Sequence, residues 1–135
     1  YIVKKNRQNY SIIESSLTNI KGIKLRKIPS QCKPLCDTLI IQFDTKEIAD
    51  SFVFGLKSEG LGTKNVPDAI EWHFVKHWDH MLSYFQLDAD ELNSSIDVSS
   101  KILERCVALP IMVKTSSIEI NRQVKKLIKI IHSIL

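Results

Sequence analysis

Apolar positions along this 135-residue chain recur with two different periods, and each period predicts an element. Ile13, Leu17 and Ile20 fall at spacings of four and three, which predicts a helix from about Ile2 to Ile20 with Gly22 as its stop. A short strand through Lys24 to Ile28 leads to Pro29, and Gln31 to Pro34 reads as a loop because proline restricts itself and its predecessor. The run Thr38-Leu39-Ile40-Ile41-Gln42-Phe43 is short, apolar and partly β-branched, which suits a buried strand. A helix should follow. Asp44 and Glu47 fit an acidic capping box, Ile48, Phe52 and Leu56 repeat every four residues, and Gly60 supplies the C-terminal cap.

Beyond that glycine the pattern weakens. Residues 62–69 hold glycine and proline and read as an irregular or edge-strand path. An aromatic and histidine cluster comes next, and Ser94 to Ser100 reads as a polar turn before a short helix from Ser100 to Arg105. Val107-Ala108-Leu109-Pro110-Ile111 reads as a strand. The last helix is the clearest: Ser116 and Glu119 form a capping box, and Ile120, Val124, Leu127, Ile131 and Ile134 make an apolar stripe with Lys125, Lys126 and Lys129 off it. Helices alternating with few short strands, without obvious parallel crossovers, predict an α+β fold: a small, mostly antiparallel sheet flanked by helices, with the last helix packed on the sheet.

Composition fits this picture. With 44% hydrophobic and 25% charged residues, a chain of this length has the make-up of one globular domain with one core. No apolar run approaches the ~18 to 20 residues that span a bilayer, and the opening Tyr1-Ile2-Val3-Lys4-Lys5-Asn6 lacks a signal-peptide layout, so a cytoplasmic location without membrane is expected. The chain starts without methionine inside what reads as a helix, so a piece of a longer protein is expected. Three cysteines, Cys32, Cys36 and Cys106, do not suit a secreted disulfide framework, and reduced thiols are the simpler reading. The net charge of +4 comes mainly from Lys4, Lys5 and Arg7 at one end and Arg122, Lys125, Lys126 and Lys129 at the other. No aromatics are interleaved with them, as a single-strand binding surface requires, so these are read as solvated helix faces and no nucleic-acid partner is expected.

The histidines invite a metal reading, because His73, His77 and His80 would share one face of a helix. There is no His-Glu-x-x-His motif, and Cys32 and Cys36 are separated by three residues including Pro34, so no metal site is expected. Asp79 reads as a capping or hydrogen-bonding residue. Cys106, between a short helix and an apolar strand, reads as a buried, inert thiol.

Taken in order, several segments resemble the C-terminal part of the DegT/DnrJ/EryC1/StrS family of pyridoxal-phosphate-dependent sugar aminotransferases. Lys5-Asn6-Arg7-Gln8-Asn9-Tyr10 is similar to the end of that family's interdomain helix, and Gly22-Ile23-Lys24-Leu25 to the glycine and strand that follow. Phe54 to Thr63 resembles the segment where a helix closes on a glycine before the substrate-facing strand, and Ile102 to Ile111 resembles a short helix running into an apolar strand with Leu-Pro. Two departures bear on the substrate. The strand around Cys36 to Phe43 lacks the aromatic and histidine pattern often seen there, and Trp72 to His80 replaces a shorter proline-leucine-histidine segment. Gly62-Thr63-Lys64-Asn65 with the Trp72 to His80 cluster is similar to a subgroup that aminates 8-oxo derivatives of a 3-deoxy-octulosonate sugar acid.

The resemblance implies a small domain of the aspartate-aminotransferase type (fold type I) over residues 1–135, with residues 1–20 the end of the interdomain helix. It also implies a homodimer when full-length, glutamate as usual amino donor, and a keto or aldehyde sugar substrate for cell-surface polysaccharide. The Schiff-base lysine would belong to a missing large domain, leaving no catalytic residue and no pyridoxal phosphate on this piece, which alone would be inactive. What the piece offers is one wall of a cleft. Trp72 and Trp78 would stack on a sugar ring, His73 and His80 would hydrogen-bond hydroxyls or a carboxylate, and Lys64 would contact substrate or lie at the surface. The blander reading makes the tryptophans core anchors and the histidines, His77 above all, satisfied surface groups. Two other readings stay open: a stand-alone carbohydrate-binding or protein-interaction module, and a metal-binding domain built on the histidines.

Overall fold

A computed structural model describes residues 1–82, 84 and 89–135 of the chain. The elements in order are helix α1 (Ile2–Leu17), strands β1 (Ile23–Leu25) and β2 (Thr38–Phe43), and helices α2 (Lys46–Ser58) and α3 (Ile70–His73). A single 3-10 turn (Val75–His77), helices α4 (Asp79–Leu82) and α5 (Ala89–Leu103), strand β3 (Cys106–Pro110) and helix α6 (Ser117–Ile134) complete them. The three strands form one antiparallel sheet in the order β1-β2-β3. The class is α+β, as the sequence predicts.

Alternation along β2 explains how the sheet is covered. Leu39, Ile41 and Phe43 point into the core, while Thr38, Ile40 and Gln42 on the other face are only half-buried. Phe43 meets Phe52 of α2 with ring centroids 4.9 Å apart, so strand and following helix lock together at an aromatic pair. Tyr10, Ile13 and Leu17 of α1 join the same core, as do Ile120, Val124, Leu127 and Ile131 of α6. Helix α6 packs chiefly against α1 and α2 rather than on the sheet, which differs from the expectation. Its close fit to α2 comes from Gly55, where an added Cβ would stand 2.5 Å from Ile130 Cγ2.

The caps agree with the sequence in one helix and correct it in two. At α6 both halves of the box are present: Ser116 Oγ accepts from the Glu119 N–H at 3.3 Å, and the Glu119 carboxylate accepts from the Ser116 N–H at 2.9 Å. At α2 the cap is Thr45, not Asp44, because the Thr45 hydroxyl oxygen accepts from the Ile48 N–H and Thr45 holds the extended φ of −133°. Gly60 follows the end of α2 at φ +71°, the left-handed position a glycine stop requires. Helix α1 closes earlier than predicted. It ends at Leu17 with Thr18 as cap, and Gly22 (φ +86°) serves the turn into β1 instead. Strand β1 is correspondingly short and starts one residue sooner.

The largest correction lies at Ser94 to Ser100, which is not a turn. It belongs to α5, and of the short helix expected from Ser100 to Arg105 only Ser100 to Leu103 is helical, as the last turn of α5. Leu92, Ile96, Ser100 and Leu103 are its less exposed positions, a helical period, and Asp97 pairs with Lys101 at 2.6 Å one turn on. The serine-rich composition masks that period in the sequence. Among the described residues, no helix is long and apolar enough to cross a membrane.

Candidate substrate-facing cavity

The loop after α2 reaches the outer edge of β3 and stays there. Ala108 faces Ile40 across the ladder, and its own N–H and C=O point away from β2. Both are taken up: the Lys64 N–H donates to the Ala108 carbonyl at 2.8 Å, and the Ala108 N–H donates to the Val66 carbonyl at 3.0 Å. Between them Asn65 adopts φ +67°, and the Val66 N–H donates back to the Lys64 carbonyl at 2.8 Å, closing a γ-turn. Asparagine is among the few residues that tolerate this left-handed backbone. The Thr63 hydroxyl donates to Asp68 across the same loop.

The Lys64 side chain is held from a second direction. Its Nζ lies 2.6 Å from Asp37 Oδ2, at the residue just before β2, and both groups are partly exposed. The lysine beside it holds the Asp37 carboxyl below its usual range. Sequence reading found no partner for Lys64, because Asp37 lies 27 residues upstream.

Past the γ-turn the chain folds over the end of α5. Asn65, Val66, Ile70, His73, Phe74 and Leu103 line a cavity of about 230 Å³. One turn before Leu103 on α5, the largely buried Ser100 hydroxyl accepts from Lys76 Nζ at 3.3 Å and donates to Glu104 at 3.3 Å. The lining is mostly apolar with His73 and Asn65 as its polar groups, a composition that binding walls share. Complete ligand pockets run to roughly 300–1,000 Å³, and this cavity is smaller than that. A larger groove of about 570 Å³ runs between α2 and α6 along Phe54, Gly55 and Ile130. Its charged rim is already paired, Asp50 with Lys46 and Glu59 with Lys129, and it lies on helices that carry none of the predicted site residues.

The predicted site residues divide here. His73 lines the cavity, and Lys64 flanks it but is turned to Asp37. Trp72 is 78% exposed, and Trp78 is half-buried with its Nε1 donating to the Trp72 carbonyl at 3.1 Å, so neither is a core anchor. The three histidines do not share a helix face. Phe74 is extended (φ −105°, ψ 125°) and breaks the segment into α3, the 3-10 turn and α4. His77 instead sets its ring edge-on to Phe74 at 6.4 Å, and His80 is exposed outside the cavity lining. The side chain of Asp79, read as a cap, lies outside the described residues. Asp37 and Leu103 are not marked by the sequence as site residues, and Asn65 and Phe74 are marked only as members of the segments that carry the subgroup resemblance. Only Asn65, in a glycine- and proline-rich stretch, carried a local signal for its turn.

No protein-family model matches the chain, and no curated protein matches it either. Solved structures do. An aminotransferase, TlmJ from Streptoalloteichus hindustanus, covers 98% of this chain with a TM-score of 0.74 at 12% identity. Spr1654 from Streptococcus pneumoniae, assigned as a sugar aminotransferase, covers 99% with a TM-score of 0.70 at 14% identity in its PLP form. A 3-amino-5-hydroxybenzoic acid synthase covers 97% with a TM-score of 0.69 at 13% identity. At such identities the likeness shows the fold, which is that of part of these aminotransferases. The chain spans about a third of their length: 32%, 32% and 34% respectively.

Proposed function

We propose that this chain is the C-terminal, substrate-side domain of a pyridoxal-phosphate-dependent sugar aminotransferase of the DegT/DnrJ/EryC1/StrS type. The observation that carries the reading is that the fold matches from end to end, over 98% of this chain, while filling only 32% of an aminotransferase. The remaining two thirds would hold the cofactor, and α1 would be the end of the helix that joins the parts. In the whole enzyme, taken as a cytoplasmic homodimer, an amino acid such as glutamate donates nitrogen to a keto or aldehyde sugar destined for cell-surface polysaccharide. The octulosonate sugar acids are the substrate group that Gly62 to Asn65 and Trp72 to His80 favour.

Pyridoxal phosphate, when bound, supplies the amino-transfer chemistry. Lys64 does not fit its attachment: a Schiff-base lysine needs a free amine, and the Lys64 side chain is taken up by Asp37 at 2.6 Å. The chain's own contribution is recognition. The exposed Trp72 indole offers a flat apolar face to a sugar ring, and His73 offers ring nitrogens to its hydroxyls from the cavity rim. Trp78, bonded to the Trp72 backbone at 3.1 Å, and the exposed His80 are the further groups we assign to sugar recognition.

The deciding experiment uses the full-length protein. It should be yellow, lose that colour when an upstream lysine is replaced, and show a raised KM for the sugar in Trp72→Ala with the donor half-reaction unchanged. A colourless full-length protein sinks the proposal.

A further inference from the structure

We infer that Asp37 is a positioning residue: through Lys64 it fixes the γ-turn at Asn65 and so sets the near wall of the His73 cavity. Two independent tethers converge on Lys64. Its backbone is hydrogen-bonded to Ala108 on the edge of β3, and its ammonium is bound to Asp37 at 2.6 Å. Asp37 is itself well anchored, because its carbonyl accepts from the Ile111 N–H at 2.9 Å just past the end of β3, and Thr38 Oγ1 approaches its Oδ1 at 3.5 Å. The ion pair therefore spans the end of the sheet from a fixed point to the loop.

The loop has reason to need it. Asn65 holds a backbone conformation that asparagine tolerates but does not prefer, and its γ-turn is one that chains rarely adopt unaided. Asn65 and Val66 are the next two residues after Lys64, and both line the cavity opposite Phe74 and Leu103. Releasing the ammonium frees the loop to leave Ala108, and the wall moves with it. The carboxylate itself touches no cavity-lining group among the contacts described, so its action on a ligand is indirect.

The consequence for function rests on the aminotransferase reading above, and the test separates the two. In the full-length protein, Asp37→Asn keeps the shape and removes the charge, while Asp37→Glu keeps the charge. Hydrogen exchange followed by mass spectrometry should show faster exchange in peptides covering 62–74 and 106–110 for Asp37→Asn, with α6 unchanged and with partial restoration in Asp37→Glu. The sugar KM should rise by up to about fivefold, the range a partly exposed ion pair allows, while kcat of the amino-donor half-reaction stays put. Unchanged exchange in both peptides overturns the positioning role whatever the protein's colour. Altered exchange with an unchanged sugar KM in a yellow, active enzyme overturns its bearing on substrate. In a colourless protein the aminotransferase reading falls, and the exchange pattern alone decides the clamp.

Discussion

Replacing Gly55 by alanine should destabilise the chain even though alanine is the better helix former. Alanine in a helix interior gains about 1 kcal/mol over glycine. Against that, the new Cβ would stand 2.5 Å from Ile130 Cγ2, closer than side-chain carbons approach. Ile130 is 5% exposed, lies inside α6 one turn before its C-terminal end, and as a β-branched residue keeps one strongly preferred χ1, so the methyl cannot swing away. Overpacking of this kind costs about 1–3 kcal/mol, which leaves a net loss near 1 kcal/mol. Urea unfolding followed by circular dichroism should show it as a midpoint shift of roughly 0.5 M for a small domain. The second half of the cycle is sharper. In an Ile130→Ala background, itself less stable by about 2–5 kcal/mol, the obstructing methyl is gone and Gly55→Ala should become stabilising. If Gly55→Ala raises stability in both backgrounds, the claim that helix contact dictates glycine here is refuted.

Other outcomes follow from the same structure. Ser116→Ala should cost about 1 kcal/mol in the same unfolding assay by removing a helix cap. Bonds from the Ser116 N–H and hydroxyl hold the Glu119 carboxyl below its usual pKa, so its stabilising effect is full above the unfolded value near about 4.3 and disappears as pH falls through the folded value; Glu119→Gln should flatten that part of the stability profile. Asn9 is fully buried, and its Nδ2 donates to the carbonyls of Met112 at 2.9 Å and Thr115 at 3.4 Å. Asn9→Ala should therefore cost about 1–3 kcal/mol, and Asn9→Asp more, since it sets a carboxylate against two carbonyl oxygens. Cys32 is exposed, whereas burial covers Cys36 and Cys106 and raises their pKa values, so a thiol reagent at neutral pH should label one cysteine quickly in the folded chain and all three in denaturant.

How much was legible in the sequence depended on whether the determining partner was nearby. Strand β2 and the cap and stripe of α6 were readable because each is defined within a dozen or so residues by periodicity or by a three-residue box. Helix α5 is obscured where four serines between 94 and 100 suggest a turn, although Leu92, Ile96, Ser100 and Leu103 hold a helical period. The candidate site was half legible. His73 and the exposed Trp72 stood out by residue type, but the break at Phe74 depends on packing over α5, and the Asp37 to Lys64 link crosses β2 and α2. No local pattern encodes such a pair.

The turn at Asn65 also bears on how the sheet meets other molecules. Strand borders with free amide and carbonyl groups are templates on which a further chain can polymerise. Here the β3 border has its outward pair at Ala108 already consumed by residues 64 and 66 of the same polypeptide. The opposite border, β1, runs for only three residues with the exposed Lys24 at its centre, a brevity and a charge that both discourage stacking. One short turn thus protects against fibre growth as well as shaping a wall.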